Sequence, residues 1–272
     1  MQQFDPQTLK QLYIPPEDSD GEDNGQVTII GGSKLFHGAP IFSLKAASKI
    51  VDMVFFTSPE KSMHEIATYI KATVPGFIWV PWDEVEKYIE KSDAILMGNG
   101  FMRYSSEHSL PIDGEYDDVA TQSREVTKKL LQQFPNKKWV IDAGSLQVMD
   151  PEWIPANAIL TPNKKEYECL FKDMELSEAA KKYNCIIVRK GKISVVCSPD
   201  ECVEIHGGNG GMTKGGTGDV MAGITVALLA KNEAFLAASA AAYIIKKTGD
   251  ELKEKIGFWY SAEDLAENIK LI

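Results

Sequence analysis

Residues 207–219 read Gly-Gly-Asn-Gly-Gly-Met-Thr-Lys-Gly-Gly-Thr-Gly-Asp and lead directly into an apolar run over residues 220–230. Thr225 is the only polar side chain in that run, and such a run at helical length predicts a buried helix. Glycines let backbone N–H groups approach a ligand closely, and the positive end of the helix dipole favours an anion. The segment therefore predicts a phosphate or oxyanion site in front of a core helix.

Asp219 stands where the glycine-rich segment meets the predicted helix, and two interpretations apply to it. Asp is a common helix N-cap. A carboxylate beside a row of N–H donors can instead accept a proton from a hydroxyl while the donors hold the developing charge. Two other phosphate-binding loops do not match. Ile193 stands where a Walker A loop needs Ser or Thr, and Met221 occupies the third glycine position of a Rossmann fingerprint.

A family resemblance rests on the same segment. Residues 216–219 resemble the Gly-x-Gly-Asp signature of the ribokinase-like superfamily. Residues 208–219 are similar to a narrower family, the ADP/ATP-dependent NAD(P)H-hydrate dehydratases, and the resemblance extends over roughly residues 25–272. It implies the α/β class, with a three-layer α/β/α ribokinase-like fold around a mainly parallel sheet. Predicted strands that alternate with predicted helices from residue 27 onwards agree with this fold class.

Length and composition are ordinary for a globular protein, either an enzyme or a binding protein. The chain has 272 residues, of which 44% are hydrophobic and 25% charged. We expect an acidic extended leader over residues 1–25 and a single catalytic domain over residues 26–272. The net charge of −10 argues against a nucleic-acid-binding surface. No signal peptide opens the chain and no apolar stretch reaches membrane-spanning length, which predicts a cytoplasmic protein without membrane association.

The four cysteines, at positions 169, 185, 197 and 202, show no Cys-x-x-Cys spacing. Cys185 and Cys197 lie inside apolar runs typical of strands. Cysteine in such a run usually behaves as a small buried hydrophobe. We therefore expect both side chains to belong to the core.

Two further glycine turns follow predicted buried strands, at the edge where open α/β sheets bind ligands. The first precedes residues 38–40, and its alternative interpretation is a connection without a ligand role. The second is residues 98–101. The family has a similar Gly-Ala-Pro after the first turn and usually Gly-Pro-Gly-Leu at the second. The resemblance implies substrate contacts through Ala39 and Gly100, and we expect the second turn to form with Asn99 in place of proline.

Polar residues follow two more predicted strands. Asp142 can bind a ligand or hydrated Mg²⁺, or it can hold neighbouring loop N–H groups. Asn163 and Glu166 fit a helix capping box, and they also fit the Asn-x-x-Glu pattern of the ribokinase-like superfamily. That resemblance implies that Glu166 organises Mg²⁺ and phosphate through water, a role that one indirect carboxylate can fill. The dehydratases typically carry His as a substrate contact where this chain has Asn163.

The resemblance also implies a nucleotide site built from two segments. Residues 191 and 192 are predicted to be the turn of a strand hairpin, which is a common element by itself, and residues 190–194 resemble the family's Lys-Gly-x-x-Thr segment. The second segment is the glycine-rich one. The implied nucleotide- and phosphate-binding residues are Lys190, Gly191, Lys192, Ile193, Ser194, Asn209, Lys214, Gly215, Gly216, Thr217 and Gly218.

The leading functional hypothesis is repair of hydrated nicotinamide cofactors. The resemblance implies that ADP or ATP, with Mg²⁺, phosphorylates the ring hydroxyl of hydrated NADH or NADPH (NADHX or NADPHX). Asp219 would contact the substrate and act as the base, and loss of phosphate would restore NADH or NADPH. A homo-oligomer, often a tetramer, and an epimerase encoded as a separate protein are also expected.

Two alternatives stay open. One is a small-molecule kinase of the same superfamily that acts on a hydroxymethylpyrimidine or a thiazole. It would use the same aspartate and loop but stop after phosphoryl transfer. The other is a nucleotide-sensing protein without turnover. Asp219 argues against sensing, because a sensor needs no base.

Overall fold

The computed structural model describes residues 1–103 and 115–271 and contains one ten-stranded sheet. The strand order is β1-β10-β9-β8-β7-β6-β5-β2-β3-β4. Among these strands, β8–β9 and β9–β10 pair antiparallel and the other neighbours pair parallel. The strands are β1 Gln2–Gln3, β2 Gln26–Ile30, β3 Met53–Thr57, β4 Ile78–Trp79, β5 Ala94–Met97, β6 Lys138–Ile141, β7 Ile159–Leu160, β8 Ile186–Arg189, β9 Ser194–Cys197 and β10 Cys202–Ile205.

Helices cover both faces of the sheet. They are α1 Gly38–Ala47, α2 Ser62–Ile70, α3 Val85–Lys91, α4 Glu115–Gln133, α5 Ala143–Val148, α6 Lys164–Phe171, α7 Leu176–Lys182, α8 Thr217–Lys231, α9 Ala234–Ile256 and α10 Ala262–Glu267. One apolar core lies under α1, α2, α8, α9 and α10, and a second core lies under α3 to α7. The three-layer α/β/α prediction around a mainly parallel sheet is confirmed.

Helix α8 is the buried helix that the apolar run predicts. Every residue from position 220 to 230 is buried, which explains why no polar face appears in its sequence. Gly223 allows α1 to pack directly on it, because a Cβ at that position would lie 2.3 Å from the Ser43 carbonyl oxygen. Helix α8 is thereby held directly against α1.

Some elements differ from the sequence expectation. Helices α5 and α7 were not expected, because six or seven residues are too few for a helical period to show. Helix α9 runs from Ala234 to Ile256. The sequence of its last two turns is rich in charged residues, as in many loops. These turns are nevertheless helical, because Lys and Glu are good helix formers.

The first 25 residues are not extended throughout. Gln2–Gln3 pairs with β10 at the edge of the sheet, and Pro6–Gln11 forms a 3₁₀ turn. Phe4 and Leu12 are buried, 7% and 5% exposed, which anchors this part on the domain. Two isolated apolar residues give no periodic pattern, so the sequence did not indicate this packing. The division of the chain into a leader and one domain stays a prediction.

Cys197 is buried in the core as expected, and it also forms a disulfide with Cys202, which the sequence did not indicate. The antiparallel register of β9 and β10 places the two residues opposite each other, with a Cα–Cα distance of 4.1 Å. Cys185 is buried and free, as expected. No helix among residues 1–103 and 115–271 has the length and apolar character needed to cross a membrane.

Candidate active site

Neighbouring parallel strands end at one edge of the sheet and bring the predicted polar residues together. Strands β5, β6, β7 and β8 are adjacent and run in the same direction. Asn99 lies two residues after β5, Asp142 directly follows β6 and Lys190 directly follows β8. This carboxyl edge is where open α/β sheets bind ligands. Helix α8 begins beside the same edge, so its first turn completes the site.

Asp219 lies in the first turn of α8. The helix begins at Thr217 and its N-cap is Gly216, whose φ of 96° favours glycine. The interpretation of Asp219 as the N-cap is therefore wrong. The Ser43 hydroxyl donates a hydrogen bond of 2.8 Å to the Asp219 backbone carbonyl, which fixes this turn against α1. The carboxylate itself is left to interact with groups at the sheet edge.

A hydrogen-bonded row joins Asp219, Asn99, Asp142 and Lys190. Asn99 Nδ2 donates to Asp219 Oδ1 over 2.5 Å and to Asp142 Oδ2 over 3.2 Å. Lys190 Nζ donates to Asp142 Oδ1 over 2.8 Å. Asn99 and Asp142 are 0% and 1% exposed. One amide thus separates two carboxylates, and one ammonium balances part of their charge.

The charges in the row favour a carboxylate that gains its proton near neutral pH. Burial raises the pKa of Asp219 to about 6, and the Asp142 carboxylate acts in the same direction. The Asn99 hydrogen bond and the Lys190 ammonium offset part of this rise. Burial alone would lower the pKa of Lys190, but Asp142 and Glu166 outweigh it and raise that pKa. Asp219 therefore has the properties of a general base beside a stable cation.

A cavity of 690 Å³ opens between the β8–β9 turn, the glycine-rich segment and α9. Its volume suits a small-molecule ligand. Ile193, Gly215 and Gly216 are not part of its lining, and Ile193 lines a separate groove. Lys190 connects the cavity with the hydrogen-bonded row. The predicted site residues that line the cavity are Asn163, Lys190, Gly191, Lys192, Ser194, Asn209, Lys214, Thr217 and Gly218.

Asn209 and Lys214 line the cavity, but their polar side-chain atoms bond within the protein. Asn209 Oδ1 accepts two hydrogen bonds, one of them from the Tyr260 hydroxyl over 2.7 Å. Its Nδ2 donates to a backbone carbonyl and to Asp250 Oδ1. Lys214 Nζ donates to two backbone carbonyls. Both side chains hold the glycine-rich segment in its conformation, so the N–H groups of that segment are fixed in advance.

Lys246 is a cavity residue that the sequence interpretation missed. It is 6% exposed, and its Nζ donates to the carbonyls of Gly191, Lys192 and Gly207 over 3.1, 2.8 and 3.0 Å. Burial lowers the pKa of Lys246, with Asp250 acting in the opposite direction. Lys246 thus ties the β8–β9 turn to the glycine-rich segment. The sequence feature that could have indicated this residue is a lysine on the apolar face of an alanine-rich helix.

Asn163 and Glu166 form a helix capping box, one of the two interpretations of their spacing. Asn163 Oδ1 accepts from the Glu166 backbone N–H over 3.0 Å, and Glu166 Oε2 accepts from the Asn163 N–H over 2.8 Å. Gln147 donates to Glu166 Oε1 over 3.2 Å. Burial raises the pKa of Glu166, and Lys190 offsets part of that rise. The box confirms the cap, and the metal interpretation stays a prediction.

The carboxylates of the site do not form a direct metal-binding set. Within the described ranges, no group of three or more His, Cys, Asp and Glu side chains is placed to hold a metal ion. Asp142 is paired with Lys190, and Glu166 has both oxygens in hydrogen bonds. Hydrated Mg²⁺ that contacts Glu166 only through water fits this arrangement, because Mg²⁺ keeps much of its water and needs few carboxylates.

Ala39 and Gly100 lie near the row but outside the lining of the cavity. Gly100 directly follows Asn99 and packs on the start of α1, where an added Cβ would lie 3.2 Å from Pro40 Cδ. Ala39 is half-buried in the first turn of α1. The two predicted substrate contacts are therefore close to each other and outside the cavity, whereas most of the predicted nucleotide residues line the cavity. The hydrogen-bonded row, which contains Asn99 and Asp219, lies beside the two substrate contacts and beside the cavity.

Comparison with solved structures identifies the fold class. A ribokinase-like superfamily protein from Enterococcus faecalis has a TM-score of 0.79 at 22% identity, covering 98% of this chain and 93% of that chain. The ADP/ATP-dependent NAD(P)H-hydrate dehydratase from Bacillus subtilis, co-crystallised with ATP and Mg²⁺, has a TM-score of 0.75 at 19% identity, covering 98% and 95%. The fold is ribokinase-like.

Sequence comparison identifies the family. The profile of the NAD(P)H-hydrate dehydratase family matches residues 27–271. The chain is 36% identical over 271 residues to the bifunctional NAD(P)H-hydrate repair enzyme Nnr of Methanocaldococcus jannaschii, covering 96% of this chain and 50% of that protein. It is 29% identical over 274 residues to the ADP-dependent (S)-NAD(P)H-hydrate dehydratase of Cenarchaeum symbiosum, covering 94% and 91%.

The chain belongs to the NAD(P)H-hydrate dehydratase family, as the resemblance of residues 208–219 predicts. It spans about half the length of the bifunctional relatives that it matches, namely 50% of the Methanocaldococcus jannaschii protein and 52% of the corresponding protein of Archaeoglobus fulgidus.

Proposed function

We propose that this chain catalyses the ADP- or ATP-dependent dehydration of hydrated NADH or NADPH back to NADH or NADPH. The position of the Asp219 carboxylate is the main observation that supports this proposal. Its carboxylate, with a pKa of about 6, lies at the start of a helix capped by glycine. The cavity beside it is lined by residues that the family resemblance assigns to the nucleotide. Membership of the family supports the choice of a hydrated nicotinamide cofactor as the substrate.

In the proposed reaction, the ring hydroxyl oxygen bonds to the terminal phosphorus of the nucleotide, and Asp219 takes the hydroxyl proton. The bond between phosphorus and the leaving nucleotide oxygen breaks. N–H groups at the start of α8 and the Lys190 ammonium offset the charge on the phosphoryl group. A Cβ on Gly218 would lie 3.3 Å from Lys190 Nζ, so ammonium and helix start are adjacent.

The second half-reaction needs no further strong acid. The lone pair of the ring nitrogen expels phosphate as the carbon–oxygen bond breaks. The neighbouring ring carbon then gives up a proton to water, the electron pair of that bond forms the ring double bond, and the nitrogen recovers its lone pair. The role left to the protein is to exclude water and to hold the ring near the row of Asn99 and Asp219.

One assay tests the function. The protein is incubated with hydrated NADH, Mg²⁺ and either ADP or ATP, while the absorbance of reduced nicotinamide and the release of phosphate are followed. Equal amounts of both products are expected. A phosphorylated product without recovered NADH would support the kinase alternative. Nucleotide binding without any product would support the sensing alternative.

Mg²⁺, when bound, neutralises charge on the nucleotide phosphates, and Glu166 is the residue that would hold its water shell. Glu166→Gln is expected to raise the Mg²⁺ concentration for half-maximal rate by about 10-fold. Gln also serves at the third position of a capping box, so the helix start should persist. A Mg²⁺ titration of the rate measures the effect, with Glu168→Gln in the same helix as the control. An unchanged titration would show that Glu166 acts only as a cap.

The proposal also includes a homo-oligomer, with a tetramer as the expected state, a cytoplasmic location and an epimerase partner. Family resemblance is what supports these three parts. Size-exclusion chromatography with light scattering tests the first of them.

A further inference from the structure

Asn99 is a buried amide placed between two carboxylates. It stands where the family usually carries proline, and it is 0% exposed. Its Nδ2 group donates to Asp219 over 2.5 Å and to Asp142 over 3.2 Å. A carboxylate can only accept hydrogen bonds, so the donor end of the amide has to face both of them. The orientation of the Asn99 side chain is therefore set by the site.

The oxygen end of the Asn99 amide does not stabilise the fold. Asn99 Oδ1 has no hydrogen-bond partner among the described residues. A buried acceptor without a hydrogen-bond partner destabilises a fold. The turn itself is made by Gly98 and Gly100, whose φ angles are 112° and 77°. Neither the turn nor the core needs an amide at this position, which leaves the contacts with Asp219 and Asp142 as the reason for it.

We propose that Asn99 is a positioning residue that holds the Asp219 carboxylate for proton transfer and keeps it separated from Asp142. The proposal rests on the proposed role of Asp219 as the base. A single hydrogen bond to Oδ1 fixes the rotation of the carboxylate, so the second oxygen keeps one direction for the substrate hydroxyl. Misplacement of a reacting group by about 1 Å can cost on the order of 100-fold in rate.

Loss of the amide also changes the titration of Asp219. The charged groups that face Asp219 are Asp142 after β6, Lys190 after β8 and Glu166 in α6. Without Asn99, burial and the two carboxylates continue to raise the pKa of Asp219, and Lys190 alone opposes them. The pKa should therefore move further above 6. The base is then protonated at a higher pH, and the acid limb of the rate profile moves upward.

The test uses Asn99→Ala and Asn99→Pro. Turnover should fall by about 10- to 100-fold, while the KM for the nucleotide stays within about twofold. The acid limb of kcat/KM should move to higher pH in both variants. A ¹³C NMR titration of the Asp219 carboxyl carbon, which needs no turnover, should show the same direction. Thr57→Val removes a buried hydroxyl that, like Asn99 Oδ1, has no partner among the described residues, and it should leave the profile unchanged.

Unchanged turnover, or lower turnover with an unmoved acid limb and an unmoved NMR titration, would overturn the positioning role. If Asn99→Pro does not fold, Asn99→Ala carries the test, since alanine does not restrict the turn as proline does. Wild-type protein without dehydratase activity would overturn the proposed function instead. The NMR titration would then still decide whether Asn99 holds Asp219.

Discussion

Asp219→Asn is expected to lower turnover by about 10²- to 10⁴-fold, because asparagine cannot take the hydroxyl proton. The fold should persist, since Gly216 and not Asp219 caps α8. The new side chain also has an oxygen that can accept the hydrogen bond from Asn99. Steady-state rates under saturating nucleotide measure the effect. Asp150→Asn, which removes an exposed carboxylate paired with Arg124, is the control and should keep the wild-type rate.

The same variant is expected to gain stability at neutral pH. The pKa of Asp219 is raised from 3.8 to about 6, so the protonated form contributes stability that is fully present below pH 3.8. This contribution is lost as the pH rises through about 6. Asparagine has no such loss, and the variant should exceed wild type by up to about 3 kcal/mol above pH 7. Urea unfolding between pH 4 and 8 measures the difference.

Two results would contradict this account of Asp219. Full activity of the asparagine variant would remove the residue from the mechanism. A variant that is less stable than wild type at pH 7 would show that the carboxylate stabilises the fold.

The glycine-rich segment and α8 could be predicted because their information is local. Residues 207–219 carry the family motif in one run, and the apolar residues after Asp219 have no polar face. Burial of the whole run then follows from its composition. The same holds for the capping box of Asn163 and Glu166, whose two members are three residues apart. In each case the residues that define the structural feature are also close together in the sequence.

The hydrogen-bonded row could not be predicted in the same way. Asn99 lies 120 residues from Asp219, and Lys190 lies 48 residues from Asp142. The parallel strand pattern indicated only that the residues after these strands share one edge. Which side chains bond to each other depends on the strand order and on the tilt of α8. Asn99 therefore looked like a turn residue, although its amide contacts the proposed base.

The other features that the sequence did not predict also depend on contacts between residues that are far apart in the sequence or that show no periodic pattern. The disulfide of Cys197 and Cys202 follows from the register of β9 and β10, which their spacing alone does not define. Phe4 packs on the domain as a single apolar residue. Lys246 is one charge in a long apolar helix face, and it is buried because three carbonyls meet its ammonium.

Lys190→Met is expected to lower kcat/KM for the nucleotide by about 10²- to 10³-fold, the scale of removing one group that stabilises transition-state charge. Lys190 lines the cavity and donates to Asp142 over 2.8 Å. Its ammonium also lies next to Gly218 at the start of α8, where the phosphoryl group is proposed to pass. Methionine keeps most of the side-chain volume but removes the charge, so the phosphoryl group loses one of the groups that offset its charge.

The pH profile separates this role from a loss of packing. The Lys190 ammonium lowers the pKa of Asp219, so its removal should raise that pKa and move the acid limb of kcat/KM upward. Lys190→Arg keeps a cation and hydrogen-bond donors and should return the acid limb towards its wild-type position. Lys164→Met, at an exposed lysine of α6, is the matched control. If Lys190→Met keeps the wild-type pH profile and loses no more activity than this control, Lys190 does not stabilise the transferred phosphoryl group.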